Sequence, residues 1–347
     1  MKHTFLVPWH SSKYVPGISL LFGIISYTDR ALHSRSTAGY ALVARFVTDT
    51  PHLEHSRTTQ LSPLQSLSQR PSCHIFHTVE MNKIKGINFF FSSGGLVGIH
   101  IHRSESSCAI DTFLTLPNRI QRAVVWIYLP ISQHGPVLVL GIREAGLVGE
   151  EFQAVLVRTA FAGDVIIASR PLSGTEVKDR CLAVSTPVTM IYSEPKEGRP
   201  VCFFGSRCGP LPGQPLPAPF PLGKPGRWRG DRRYLSWPPL SGVSSTVVFH
   251  DQNTGDCRGI LFHYQNGGCR AVGQCRLGVD LAETVVRPVQ FRFRLHSSPE
   301  TGLAQARFTQ CEEEELTEGW ESRPMKGLVE FWSTIESTVL TIEDNEG

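Results

Sequence analysis

A β-hairpin is written twice in this chain, and that repetition constrains the fold more than any other feature. The first copy runs Gly86-Ile87-Asn88-Phe89-Phe90-Phe91, then Ser92-Ser93-Gly94-Gly95, then Leu96-Val97-Gly98. The second runs Gly259-Ile260-Leu261-Phe262-His263-Tyr264, then Gln265-Asn266-Gly267-Gly268, then Cys269-Arg270-Ala271-Val272-Gly273. Both begin Gly-Ile-x-Phe-x-aromatic, and both reach Gly-Gly at the eighth position after the opening glycine. A unit used twice implies a chain assembled from related β pieces.

The turn chemistry predicts the pairing. Ser-Gly and Asn-Gly between β-forming runs suit two-residue primed turns, whose central residues need φ > 0. With Asn266 and Gly267 at the centre, Tyr264 faces Cys269, Phe262 faces Ala271 and Ile260 faces Gly273. Side chains alternate along a strand, so Ile260, Phe262 and Tyr264 share one face, as do Ile87, Phe89 and Phe91. Phe90, Val97, Ile99 and Ile101 are assigned to the other face of the first hairpin, which is therefore covered on both sides.

Short β-branched and aromatic runs continue through the chain. They are Ala123–Leu129, Val137–Ile142, Gln153–Arg158, Asp164–Ile167, Val188–Tyr192 and Val201–Phe204, and later Thr246–Phe249, Val285–Leu295, Leu328–Trp332 and Thr338–Ile342. Runs at this spacing, broken by Gly and Pro, favour a sandwich, barrel or prism over βαβ units. Nine prolines fall between Pro210 and Pro239, and proline cannot donate to a sheet ladder. The expected fold is all-β, with two related β-sheet domains at 81–205 and 241–343, a Pro-rich linker at 206–240 and a largely disordered segment at 1–80. That first segment is polar and lacks sustained periodicity. Met81 stands where globular patterning begins, and a product starting there is a hypothesis of this reading.

Charge and cysteine usage narrow the class. The net charge is +3 with scattered basic residues, which argues against nucleic acid. Arg227–Arg233 reads as a solvated basic run, and Glu312–Glu315 as a solvated acidic loop. No stretch approaches the about 20 apolar residues of a membrane span. Val15–Ser26 has the length of a signal-peptide core without its flanks. The nine cysteines contain no C-x-x-C and read as free thiols of a reducing compartment, hence a cytoplasmic protein. Cys257, Cys269 and Cys275 cluster on the second hairpin and would permit a disulfide if the chain were exported.

Catalytic motifs of the hydrolase, zinc-protease, phosphate-loop and dinucleotide types do not occur. His100-Ile101-His102 puts two histidines on one strand face, with His74 or His77, beside Cys73, as a third ligand; an ordinary surface strand explains the pair as well. Cys181 after Asp179-Arg180 has no histidine identifiable by spacing. No cofactor and no metal is implied. Ligand-binding candidates are the turn residues Gly94, Gly95, Asn266, Gly267 and Gly268, because loops at sheet ends carry binding sites, and Trp320, which sits beside a glycine and suits stacking on a sugar face. Trp126 and Trp332 lie in strand-like runs and read as core.

At the level of the hairpins, over roughly residues 84–340, the chain resembles a set of uncharacterised β-rich proteins of filamentous fungi. The residues behind this are Gly259–Tyr264 with Gly273-Gln274-Cys275-Arg276, Gly94–His100 and Trp126–Leu129. The Gly-Ile-x-Phe-x-Tyr-x-Asn-Gly hairpin is also similar to that of jacalin-like lectins. That likeness implies a three-sheet β-prism and a Gly-x-x-x-Asp sugar loop; the nearest stretch here, Gly174–Asp179, is one residue longer. The function so read is a non-enzymatic, lectin-like binding module for a carbohydrate or protein. The alternatives are a scaffold docking through the Pro-rich linker and an enzyme whose site is assembled from distant loops.

Overall fold

Strand-forming runs bounded by Gly and Pro fold as strands throughout the computed structural model. It describes residues 73–104, 107–147, 150–167, 177–184, 186–195, 200–201, 203–206, 217–221, 234–296, 302–311 and 318–343, and the backbone of strands at 3–7, 42–47 and 60–63. Apart from those three strands, the segment 1–72 lies outside the described residues. The last residues before Met81 belong to the core: Phe76 and Val79 of the Cys73–Glu80 strand are buried. Met81 opens a short 3₁₀ turn, is itself buried, and donates its N–H to the Val188 carbonyl at 2.9 Å.

The protein is all-β, with only two short helices, Ile110–Leu114 and Asn118–Gln121, among the described residues. Six sheets form. In the first half, Gly86–Ser92 lies between Gly95–His102 and Val124–Pro130. A second sheet runs in the order Gly163–Ile167, Glu150–Thr159, Val137–Leu147, Val177–Ala183. A third places Cys73–Glu80, Thr189–Ser193 and Phe203–Ser206 side by side. In the second half, the order Cys269–Gly273, Cys257–Tyr264, Val243–His250, Leu281–Val286 makes one sheet. Gln290–His296 lies between Leu303–Thr309 and Glu321–Pro324 in the next, and Leu328–Ser333 between Tyr234–Ser236 and Thr338–Glu343 in the last.

Each half gathers three sheets around one apolar core. Ile87, Phe89, Leu140, Val157, Met190 and Phe204 meet in the first. Ile260, Phe262, Phe291, Phe308, Val329 and Phe331 meet in the second. A strand buries its inward face by alternation, so three short strands facing a common axis seal a core that one sheet would leave open.

The two hairpins turn differently. In the first, Ser93 and Gly94 have φ 51° and 81°, and Ser92 pairs with Gly95, the two-residue primed turn expected. In the second, Gly267 has φ 83° but Asn266 does not turn left-handed. The Gly267 N–H donates to the Tyr264 carbonyl, so Gln265, Asn266 and Gly267 form a three-residue loop closing on an αL glycine. The extra loop residue moves the register by one: His263 pairs with Cys269, Phe262 with Arg270 and Ile260 with Val272, correcting the sequence reading. Ile260, Phe262 and Tyr264 still share the core face.

A bulge in the first hairpin corrects a second expectation. Phe90 pairs with Gly98 but Phe91 with Leu96, leaving Val97 extra. Phe90 and Val97 do cover the far face, with Trp126 and Leu116. Ile99 and Ile101 stand opposite Phe89 and Ile87 and join their core instead. The predicted run Val285–Leu295 is two strands, broken at Arg287 with φ 51° before Pro288, and Leu295 is exposed rather than packed beneath Phe291 and Phe293.

Candidate functional site

Of the turn residues singled out from sequence, Asn266, Gly267 and Gly268 serve the contact between the two halves. The Asn266 side-chain NH₂ donates to the Phe161 carbonyl at 3.0 Å, and its oxygen accepts from the Gly268 N–H at 2.9 Å. A Cβ on Gly268 would meet the Phe161 carbonyl group at 2.9 Å, so only glycine lets the backbones approach. The Gly267 carbonyl accepts from Ser132 Oγ at 2.7 Å, and the Arg270 guanidinium donates to the Ala162 carbonyl at 3.0 Å. Gly94 and Gly95 lie elsewhere: a Cβ on Gly95 would meet Pro200, and the adjacent Leu96 carbonyl accepts from the Val201 N–H at 2.6 Å. These candidates therefore occupy two neighbourhoods, each packed against protein.

Trp320 occupies a third. The sheet built on Gln290–His296 turns Phe291, Phe293, Ala304, Ala306 and Phe308 inward. Its outer face carries Gln290, Arg292 and Arg294 on the central strand, Gln305 and Arg307 on one flank, and Ser322 on the other. Gly319, at φ 82°, turns the chain so that Trp320 enters beside this face. The indole is half-buried, with the guanidinium carbons of Arg294 and Arg307 each 5.2 Å from its ring centre. That is cation–π range. Arg294 also donates to Gln305 Oε1 at 2.7 Å, while its buried Nε has no hydrogen-bond partner. Among the described residues no carboxylate stands within 4.0 Å of Arg294 or Arg307.

A polar cluster fills the far face of the first hairpin. His102 Nδ1 lies 3.0 Å from the Ser107 carbonyl oxygen, which only accepts, so that nitrogen carries the proton. Burial, with neighbouring His100, pushes His102 down to about 4, so the ring is neutral at pH 7 and Nε2 is an acceptor. The Asn88 side-chain oxygen stands 2.6 Å from Nε2 while its NH₂ has no partner. A half-turn of the amide lets its NH₂ donate to Nε2, and we assign that orientation. His100 is held by Thr112 Oγ1 at 2.8 Å and Ser107 Oγ at 3.1 Å. Of the third ligands considered for a metal site, His77 pairs with Tyr192 in another sheet, and the side chains of Cys73 and His74 lie outside the described residues.

Tyr128 closes the cluster. Its ring stands edge-on to His102, 5.3 Å between centres, and packs with Leu261 and Cys275 of the second hairpin. Beside these, Cys269 Sγ is 3.2 Å from His263 Nδ1. Burial raises the thiol and lowers the imidazole, so the pair is neutral and lacks the cation that would activate a nucleophile. Cys257, Cys269 and Cys275 are all free thiols. Cys181 packs against backbone carbonyls, the nearer at 3.4 Å, with burial raising its thiol.

Other sequence candidates are absorbed by structure. Asp179, the acidic end of the lectin-like loop, accepts both arms of the buried Arg143 at 2.6 and 2.8 Å; residues 168–176 of that loop lie outside the described residues. Arg143 also donates to the Phe220 and Pro221 carbonyls, so this described piece of the proline-rich stretch is packed. A cavity of about 290 Å³, lined by Met81, Asn82, Pro136, Val137, Thr186 and Pro187 among others, presents no titratable group. Among the described residues no helix is long and apolar enough to cross a membrane. No known protein family and no curated protein matches the chain.

Sequence reasoning reached Trp320 and missed its partners. Arg294 was visible in the alternation Phe291-Arg292-Phe293-Arg294, and Arg307 in its own strand. Nothing in sequence distance couples either to Trp320; the register of three strands does.

Proposed function

We propose that this protein is a non-catalytic β-rich binding module that engages a carbohydrate, in a lectin-like manner, at the sheet face bearing Trp320. One observation carries the reading: Trp320 stands at the rim of an outward sheet face whose inner side is core, flanked by Arg294 and Arg307. An amphipathic aromatic held by its neighbours offers a preorganised surface to a sugar ring at small entropic cost. The hairpin likeness to jacalin-like lectins and the grouping of three sheets around each core support the same class, although fold likeness alone does not give function. The second of the turns nominated from sequence, at Asn266–Gly268, acts in this reading as the clamp that holds the halves.

The test is a glycan array probed with the full chain and with Trp320→Ala. Sugar-competable binding that is lost in the variant supports the proposal. A blank array with folded protein sinks it and turns attention to a protein partner.

A further inference from the structure

We infer that the ligand is an acidic carbohydrate, a sugar carrying a carboxylate, with that carboxylate held by Arg294 and Arg307 beside the Trp320 indole. This rests on the binding reading above and names its ligand class. Arg294 and Arg307 share one sheet face on neighbouring strands, with no carboxylate among the described residues within 4.0 Å of either. Like charges gathered on one face repel, and a bound anion relieves that repulsion. Two planar guanidiniums form forks that match a carboxylate, a geometry an ammonium does not offer.

The surroundings select among anions. Glu318 and Glu321 are exposed on either side of Trp320 in the chain, and Glu321 stands 3.8 Å from Arg323. Those carboxylates disfavour every polyanion alike, so the choice among anions falls to the indole. Single-strand binding also relies on successive aromatics for successive bases, and among the described residues of this face Trp320 is the one aromatic. An acidic peptide supplies the charge but no rigid ring to lie against the indole.

The experiment titrates the full chain with polygalacturonate, a neutral glucan of matched length, poly-glutamate and a single-stranded oligonucleotide. Arg307→Gln is the main variant, because Arg307 is exposed and its loss leaves the core intact; Arg294→Gln is the second, with circular dichroism checking both. Polygalacturonate binding that weakens with added salt and falls about ten- to hundred-fold in each variant is the expected result. Equal binding of the neutral glucan, indifferent to both variants, overturns the acidic assignment and leaves the lectin-like reading standing. Equal binding of poly-glutamate or oligonucleotide overturns the sugar. No binding to either polysaccharide overturns both readings.

Discussion

Asn266 hands its side-chain amide to the backbone carbonyl of Phe161, a residue of the other half, at 3.0 Å, while its oxygen fixes the Gly268 N–H. A turn read from sequence as a ligand-binding candidate is thereby a clamp. Asn266→Ala should cost about 1–2 kcal/mol in chemical denaturation, the scale of two hydrogen bonds, one exposed and one part-buried. Gly268→Ala should cost about 1–3 kcal/mol, because its Cβ would press on the Phe161 backbone. Unchanged stability in both variants would show the turn to be undocked.

Gln274 makes a second tie. Buried, it accepts from the Trp126 N–H at 3.1 Å and donates to the Thr334 carbonyl at 3.2 Å. Gln274→Ala orphans a buried donor and an acceptor together, a loss of about 2–4 kcal/mol. Hydrogen exchange at the Trp126 amide should accelerate in step; an amide as protected as in the parent would refute the bridge.

His102 makes stability depend on acid. Its folded pKa, about 4, lies below the ordinary 6.5, so the unfolded chain takes up a proton that the folded chain refuses. Stability is whole above pH 6.5 and declines as pH falls toward 4, by up to about 3 kcal/mol. Burial lowers His100 and His263 in the same direction. Asn88→Asp would place a carboxylate at Nε2 and raise the pKa of His102. Nuclear magnetic resonance titration of the imidazole reads both values, and a parent pKa near 6.5 would defeat the account.

Phe262 is fully buried at the meeting of three sheets, edge-on to Phe308 at 6.0 Å between ring centres. Phe262→Ala should cost about 3–5 kcal/mol. A loss under about 1 kcal/mol would mean that the site collapses around the gap, contrary to a core enclosed by β-sheet backbone on several sides.

The fold class was legible because strand alternation is local. Gly-Ile-x-Phe-x-aromatic fixes which side chains point together whatever the rest of the chain does, and both copies form hairpins as read. Register was less legible, since Asn-Gly suits a two-residue turn and a three-residue loop alike, and hydrogen bonding at Tyr264 decides between them. The strands Val177–Ala183, Leu303–Thr309 and Glu321–Pro324 escaped notice because their polar residues dilute the pattern. The Trp320 face was half legible: the aromatic was visible in sequence, but its arginines arrive from two other strands.

The ties at Asn266, Gly267, Arg270 and Gln274 bear on how the molecule comes apart. Each joins backbone of one half to a side chain or turn of the other, and Tyr234, from within the stretch 206–240, lies in the core of the first half. Neither core can melt without exposing the other. Denaturation should follow one cooperative transition whose m-value reports the surface of both halves together, rather than two steps of half the size.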